Sequence, residues 1–142
     1  MSKYFTLQEM LRSETALRKK IDNSPSFEIV RNLERLAEFL DQLREAWGSG
    51  IRVSSGYRCP SLNSAVGGVT NSAHQYGNAV DIVPVNGRQS DFEAFLKKWL
   101  VGKKFDQCIW ETSKSSGGRW VHFSLFSNQG LQRCKMFGLT AA

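Results

Sequence analysis

Two histidines and one aspartate stand out as candidate metal ligands. His74 and His122 are the only histidines in the chain, and Asp81 follows His74 within an apolar, strand-like run. Gly77 lies between His74 and Asp81 and permits a turn that returns the histidine over the strand. A carboxylate among apolar residues is costly to bury unless it is paired, hydrogen-bonded or bound to a metal ion. Two imidazoles and one carboxylate are typical ligands of catalytic zinc, which keeps a fourth position open for water. The sequence therefore predicts one Zn²⁺ bound by His74, Asp81 and His122.

Glu111 is the candidate proton carrier beside this ion. Zinc lowers the pKa of a bound water to about 7, but hydrolysis also needs a group that takes the proton of this water and passes one to the leaving amine. If the strand ending at Glu111 pairs antiparallel with the strand of His122, and Glu111 lies opposite Trp120, then Glu111 is diagonal to His122 on the same face. Diagonal neighbours are about 7–8 Å apart, within reach of long side chains. We predict that Glu111 is the general base; Asp106 is the alternative, although strand alternation directs it to the other face.

Cys59 offers a different chemistry, because an unpaired thiol near a histidine is a candidate nucleophile. Nothing near Cys59 suggests the orienting third residue that a Cys–His pair requires, and free cysteine is often just a small buried residue. The three cysteines are an odd number without paired spacing, so a disulfide framework is not expected. Metal chemistry is therefore favoured over thiol chemistry.

Three segments carry helical patterns. Thr6 and Ser90 each begin a capping-box sequence, and apolar residues recur at three- and four-residue steps from Phe27 to Trp47. Gly48 follows the longest pattern, at the position where a C-terminal glycine is common. Helices are predicted over residues 6–11, 27–47 and 90–101.

Four short apolar runs are predicted as strands. They cover residues 51–54, 79–83, 105–110 and 120–125. The segment from Pro60 to Gln75, rich in Ser, Asn and Gly, is predicted as a long irregular loop, and such loops in compact domains are usually functional. Because helices come first and strands later, we predict an α+β fold in which helices pack on one face of a small antiparallel sheet.

Length and charge limit the classes of protein further. The chain has 142 residues, 41% of them hydrophobic, which suits a single domain with its own core. We predict one zinc-binding domain over residues 1–142, with a helical part over 1–50, a sheet with its loops over 51–125 and a C-terminal tail over 126–142. The net charge of +6 favours an anionic partner such as nucleic acid, an anionic membrane face or a bacterial wall. The basic residues form no stripe and no nucleic-acid-reading motif, so no nucleic-acid partner is expected.

The metal-ligand candidates lie in a pattern that resembles a known family. The pattern is Ser72-x-His74-x-x-Gly77-x-Ala79-x-Asp81 followed by Trp120-x-His122. It resembles the zinc D-alanyl-D-alanine carboxypeptidases. Their relatives include the L-alanyl-D-glutamate endopeptidases of phage lysins, the vancomycin-resistance D-Ala-D-Ala dipeptidases and the hedgehog signalling domain. The resemblance extends from about residue 51 to residue 125 and includes the Ser-Gly-Tyr-Arg run at 55–58.

The resemblance implies roles for individual residues. It implies that His74, Asp81 and His122 bind zinc, and that Arg58 engages the substrate and stabilises the tetrahedral intermediate. Many members carry the catalytic acid or histidine two or three residues before the last zinc ligand, where this chain has Arg and Trp. The run at 105–111 resembles a phage and prophage branch whose acid lies upstream, which favours Glu111.

The predicted function is a zinc metallopeptidase that hydrolyses bacterial peptidoglycan stem peptides, as a D-Ala-D-Ala carboxypeptidase or an endolysin-type endopeptidase. Ser72 and Gln75 are interpreted either as substrate contacts or as turn formers. Two alternatives are a catalytically inactive, zinc-containing wall-binding module and a basic nucleic-acid-binding domain with structural histidines. Without a visible secretory signal or a long apolar stretch, the chain is expected to be made in the cytoplasm and to have no membrane span. It is also expected to be a monomer. It would act on the wall after release, in a phage or prophage context.

Overall fold

Five strands form one sheet in the structure, a computed structural model that describes residues 2–141. The strands are β1 (Ile51–Ser55), β2 (Ala79–Pro84), β3 (Gln107–Ser113), β4 (Arg119–Ser124) and β5 (Lys135–Ala141). Their order across the sheet is β1-β2-β4-β3-β5. The first four strands pair antiparallel, whereas β5 pairs in parallel with β3 at the edge. The α+β prediction is confirmed, but the segment predicted as a tail contains this fifth strand.

Five α-helices and one 3₁₀-helix accompany the described strands. They are α1 (Leu7–Leu11), α2 (Glu14–Lys19), α3 (Phe27–Trp47), α4 (Pro60–Ala65), the 3₁₀-helix Ala73–Tyr76 and α5 (Gln89–Trp99). The predicted caps of α1 and α3 are present. Thr6 accepts a hydrogen bond from the Glu9 backbone N–H at 3.1 Å, and Gly48 ends α3 with a left-handed φ of 79°. No helix among residues 2–141 combines the length and apolar character needed to cross a membrane.

Two local predictions were wrong. Ser90 does not cap α5, because the turn at Gly87, with φ of 75°, lets the helix begin already at Gln89. The segment predicted as a purely irregular loop contains α4 and the 3₁₀-helix. Helix α4 is only six residues long and has too few apolar positions for a helical period, so it relies on its cap. Cys59 provides that cap by accepting a hydrogen bond from the Leu62 N–H at 3.4 Å.

The core lies between one face of the sheet and helices α3 and α5. Its fully buried members include residues of both helices and alternate residues of the central strands, namely Leu36, Leu40, Phe92, Leu96, Val80, Ile82, Val121 and Phe123. Phe27, the first residue of the predicted apolar stripe, is 79% exposed because it begins α3, one turn before the helix reaches the core. Alternation along β2, β3 and β4 leaves the opposite face of the sheet for polar side chains.

An ion pair between the buried Asp106 and the exposed Arg133 fixes the start of β5. Asp106 accepts hydrogen bonds from the Arg133 guanidinium at 2.8 and 2.9 Å and from the Arg133 backbone N–H at 3.2 Å. Burial alone would raise the pKa of Asp106, but the hydrogen bonds from Arg133 outweigh it and lower this pKa. The carboxylate is therefore ionised and held by Arg133, which gives Asp106 a structural role rather than that of a base.

Replacing Asp106 with asparagine is expected to lower the free energy of unfolding by about 1.5–3 kcal/mol, the usual cost of losing hydrogen bonds to a charged group. Urea denaturation at pH 7 measures this. Because the folded-state pKa is lowered, the stabilisation is present above the unfolded-state pKa of about 3.9 and disappears as the pH falls below it. The difference between wild type and Asp106→Asn should shrink accordingly. The exposed pair of Arg88 and Asp91 gives the control, because Asp91→Asn should cost less than about 1 kcal/mol.

Candidate metal centre

The candidate ligands His74, Asp81 and His122 converge on the open face of the sheet. The distances are 3.3 Å from His74 Nε2 to His122 Nδ1, 3.3 Å from His74 Nε2 to Asp81 Oδ1, and 3.2 Å from His122 Nδ1 to Asp81 Oδ1. Among the described residues, these three form the group whose ligand atoms could hold a metal ion. The three atoms thus form a nearly equilateral triangle.

Strand pairing and a tight turn produce this triangle. Asp81 and His122 are direct partners in the antiparallel pairing of β2 with β4, so their side chains share one face. His74 lies on the 3₁₀-helix, which ends at Gly77 with a left-handed φ of 72° before the chain enters β2. This is the turn that the sequence predicts, and it returns His74 over Asp81. Ser72 caps the 3₁₀-helix by accepting a hydrogen bond from the His74 backbone N–H at 3.2 Å.

A backbone carbonyl fixes the ring of His74. The Nδ1–H of His74 donates to the Gly56 carbonyl at 2.8 Å, which leaves Nε2 unprotonated and facing the cluster. Gly56 can offer this carbonyl only because it has no side chain: a Cβ there would lie 2.1 Å from the Met10 carbonyl oxygen. The glycine of the Ser-Gly-Tyr-Arg run is therefore needed to orient a metal-ligand candidate.

The charge states suit a cation. Burial lowers the pKa of His74, which keeps its imidazole neutral. Burial alone would raise the pKa of Asp81, but His74 and His122 outweigh it and hold the pKa below its ordinary value, so the carboxylate is ionised. An imidazole lone pair and a carboxylate oxygen 3.3 Å apart repel each other unless a proton or cation lies between them.

The triangle also has the dimensions of a zinc site. Tetrahedral ligands about 2.0–2.1 Å from a common centre lie about 3.3–3.4 Å from one another. The three observed separations of 3.2–3.3 Å agree with this value. The residues therefore fit zinc in the size of the site and the chemistry of the donors.

Glu111 lies beside the triangle without belonging to it. It pairs with Trp120, and Ile109 pairs with His122, which is the register predicted from the sequence. The Trp120 indole N–H donates to Glu111 Oε2 at 3.1 Å. Burial and the nearby Asp81 raise the pKa of Glu111 above its ordinary value, against opposing contributions from His122, Trp120 and Arg58. A carboxylate with a raised pKa is a better proton acceptor, as a general base requires.

Arg58 forms an ion pair with Asp81, the carboxylate among the ligand candidates. Its guanidinium lies 3.4 Å from Asp81 Oδ2, and it donates to Ser55 Oγ at 3.1 Å and to Asn63 Oδ1 at 3.2 Å. One oxygen of Asp81 thus faces the imidazoles and the other faces Arg58. The Arg58 side chain is 14% exposed, so part of it still borders the cleft. Burial lowers its pKa, but an arginine stays protonated at neutral pH.

Of the remaining candidates Ser72, Gln75 and Cys59, only Ser72 borders the cleft. Ser72 lines the cleft although its hydroxyl already caps the 3₁₀-helix. Gln75 is not among the described cleft-lining residues. With its amide oxygen turned inward, Gln75 accepts hydrogen bonds from Asn63 Nδ2 and from the Asn71 N–H, both at 3.2 Å. The Cys59 thiol accepts the hydrogen bond that caps α4, which is a structural role.

Sequence reasoning missed Asn63. This buried residue accepts a hydrogen bond from the Arg58 guanidinium and donates one to the Val69 carbonyl at 2.8 Å. It therefore links the arginine to the loop that contains Val69. Gly68 packs so closely on it that a Cβ there would lie 2.1 Å from Asn63 Oδ1. The polarity of an asparagine on a short helix gives no sign of such a role, and only the double glycine at 67–68 marks the close approach.

A cleft of about 970 Å³ opens over the triangle, and Arg58 and Glu111 also border it. Residues 3–122 match the family model described as Peptidase M15. The chain belongs to the peptidase M15 family. No match was found among curated proteins. Peptidase M15 proteins are zinc-dependent, in agreement with the possible metal site at His74, Asp81 and His122. The matched region ends at His122, so β5 lies outside it.

Proposed function

We propose that this chain is a zinc metallopeptidase that hydrolyses peptide bonds in the stem peptides of bacterial peptidoglycan. One observation carries the proposal. Two imidazole nitrogens and one carboxylate oxygen lie 3.2–3.3 Å apart at the cleft, and a carboxylate with a raised pKa lies on the same sheet face. This combination supplies a site for an ion and a separate group for proton transfer, as metal-assisted hydrolysis requires.

His74 Nε2, Asp81 Oδ1 and His122 Nδ1 are the atoms that would hold the ion. When bound, zinc supplies a Lewis acid that lowers the pKa of water to about 7 and polarises a carbonyl. Asp81 would bind through one oxygen only, because Arg58 engages the other. The Gly56 carbonyl would keep His74 in the tautomer that binds metal.

Glu111 moves the proton. It accepts a proton from the attacking water, whose oxygen forms a bond with the carbonyl carbon of the substrate. As the C–N bond breaks, Glu111 passes this proton to the nitrogen, so the products are a carboxylic acid and an amine. The Trp120 indole holds Oε2 of Glu111 and leaves Oε1 for the proton. Arg58 adds positive charge beside the carbonyl oxygen that becomes negative, a type of stabilisation worth about 3–4 kcal/mol per well-placed donor.

The charge of the chain supports a wall substrate. Its net charge of +6 favours association with an anionic wall, and Arg12 and Arg52 border the cleft, where the carboxylates of stem peptides would lie. We place the activity after release of the enzyme from the cell in which it is made, in a phage or prophage context. Cleavage at the D-Ala-D-Ala end and cleavage within the stem peptide are both compatible with a cleft of this size.

Incubating purified muropeptides with the protein is expected to produce shortened stem peptides, which mass spectrometry identifies together with the cleaved bond. Cleavage should stop when a chelator removes the metal and return when zinc is added, because the ion would activate the attacking water. Intact muropeptides in the zinc-loaded sample would contradict the proposal. Retained zinc and muropeptide binding without cleavage would identify a wall-binding module instead.

A further inference from the structure

The edge strand β5 extends the catalytic face of the sheet. In its parallel pairing with β3, Phe137 lies beside Ile109 and Leu139 lies beside Glu111. Paired residues of neighbouring strands project from the same face of a sheet. Phe137 and Leu139 therefore share the face of Glu111. β5 lies outside the segment that matches the family model.

These two side chains are apolar and open to solvent. Phe137 is 40% exposed and Leu139 is 50% exposed, whereas the neighbouring Ile109 is buried. Leu139 borders the same cleft as the metal-ligand candidates. Exposed apolar side chains that adjoin a binding site are typical of ligand contacts.

We propose that Phe137 and Leu139 form an apolar subsite for the residue on the amine side of the scissile bond. This inference rests on the proposed function, in which Glu111 gives its proton to the leaving amine. The amine must then lie near Glu111, with the metal-ligand candidates on the far side from β5. The next strand outward from Glu111 is β5, about 4.8 Å away, which is close enough for the side chain of the leaving residue to reach it.

The chemistry of this subsite favours an apolar leaving residue over an acidic one. Neither Phe137 nor Leu139 can pair with a carboxylate, and covering a carboxylate without a partner is unfavourable. Lys135 is the cation on the same face of β5. It lies beyond Phe137, about 13 Å along the strand from Leu139, which is the residue that pairs with Glu111. We therefore expect alanine or a larger apolar residue to be preferred over glutamate on the amine side of the cleaved bond.

Two peptides that differ only in the amine-side residue, alanine in one and glutamate in the other, test the subsite. The wild type should have a roughly tenfold higher kcat/KM for the alanine peptide, the scale of discrimination by a small apolar contact. Leu139→Ser and Phe137→Ser should raise KM for that peptide and remove the preference, with a smaller change in kcat. Met136→Ser is the matched control, because Met136 is 38% exposed on the same strand but faces the other side.

Unchanged preference in both variants, or an equal loss in Met136→Ser, would overturn the inference. A change of the variants from dimer to monomer in sedimentation, with KM unaltered, would instead assign the surface to pairing between copies of the chain. Binding of the same peptides to Glu111→Gln by calorimetry separates the inference from the proposed function. If the wild type cleaves neither peptide, the proposed function fails. The subsite remains if Glu111→Gln still binds the alanine peptide more tightly than the glutamate peptide, and if adding Leu139→Ser removes that difference in affinity.

Discussion

Replacing Glu111 with glutamine is expected to reduce kcat for peptide hydrolysis by about 10²–10⁴-fold, the usual contribution of a general acid–base group. Glutamine has nearly the same shape and can still accept the indole hydrogen bond of Trp120. It cannot take a proton from water or return one to the leaving amine. KM and zinc content should change little, because Glu111 is not one of the three atoms in the triangle. Steady-state kinetics with a stem peptide and a metal assay on the same sample measure these effects.

Glu14 provides the matched control. It also borders the cleft, but it lies on the exposed helix α2 rather than on the sheet. Glu14→Gln removes the same charge from the same cleft and should leave kcat unchanged. An equal loss in both variants would mean that the overall charge of the cleft matters and that Glu111 is not the base.

Replacing His122 with alanine is expected to weaken zinc binding more than about 100-fold. Loss of a residue that only supports a ligand costs about 10–100-fold, and loss of one of three ligands should exceed this. Hydrolysis should fall in parallel, since the ion and the attacking water are lost together. A competition titration with a coloured zinc chelator gives the affinity, and circular dichroism shows whether the sheet remains folded.

Cys59→Ser tests the competing thiol chemistry in the same assays. Serine is a good helix cap, so α4 should persist when the thiol hydrogen bond to Leu62 is replaced. Zinc affinity and hydrolysis should both match the wild type. Loss of hydrolysis in Cys59→Ser with a normal zinc content would point to a cysteine nucleophile and against the metal mechanism.

The site could be predicted from the sequence where strand alternation determines it. His122 and Glu111 lie on neighbouring strands of one hairpin, so a single assumption about register placed both on one face, and the structure has that register. Asp81 was recognised because a charge inside an apolar strand needs a partner. The left-handed turn at Gly77 followed from the need to return His74 over that strand.

Long-range contacts account for what the sequence did not reveal. The pairing of β5 with β3 is parallel and crosses an irregular connection, and no local pattern specifies such a partner. The engagement of Arg58 with Asp81 depends on β1 lying beside β2, which the sequence leaves open. Asp106, the alternative candidate for the general base, is held by Arg133, which lies 27 residues away in the sequence. Asp106 therefore has a structural role.

Anomalous diffraction at the zinc absorption edge, from crystals of the zinc-loaded protein, tests the central claim most directly. We expect one strong peak per chain, about 2.0–2.2 Å from His74 Nε2, Asp81 Oδ1 and His122 Nδ1. A peak bound by other residues, or no peak at the triangle in a zinc-loaded crystal, would contradict it.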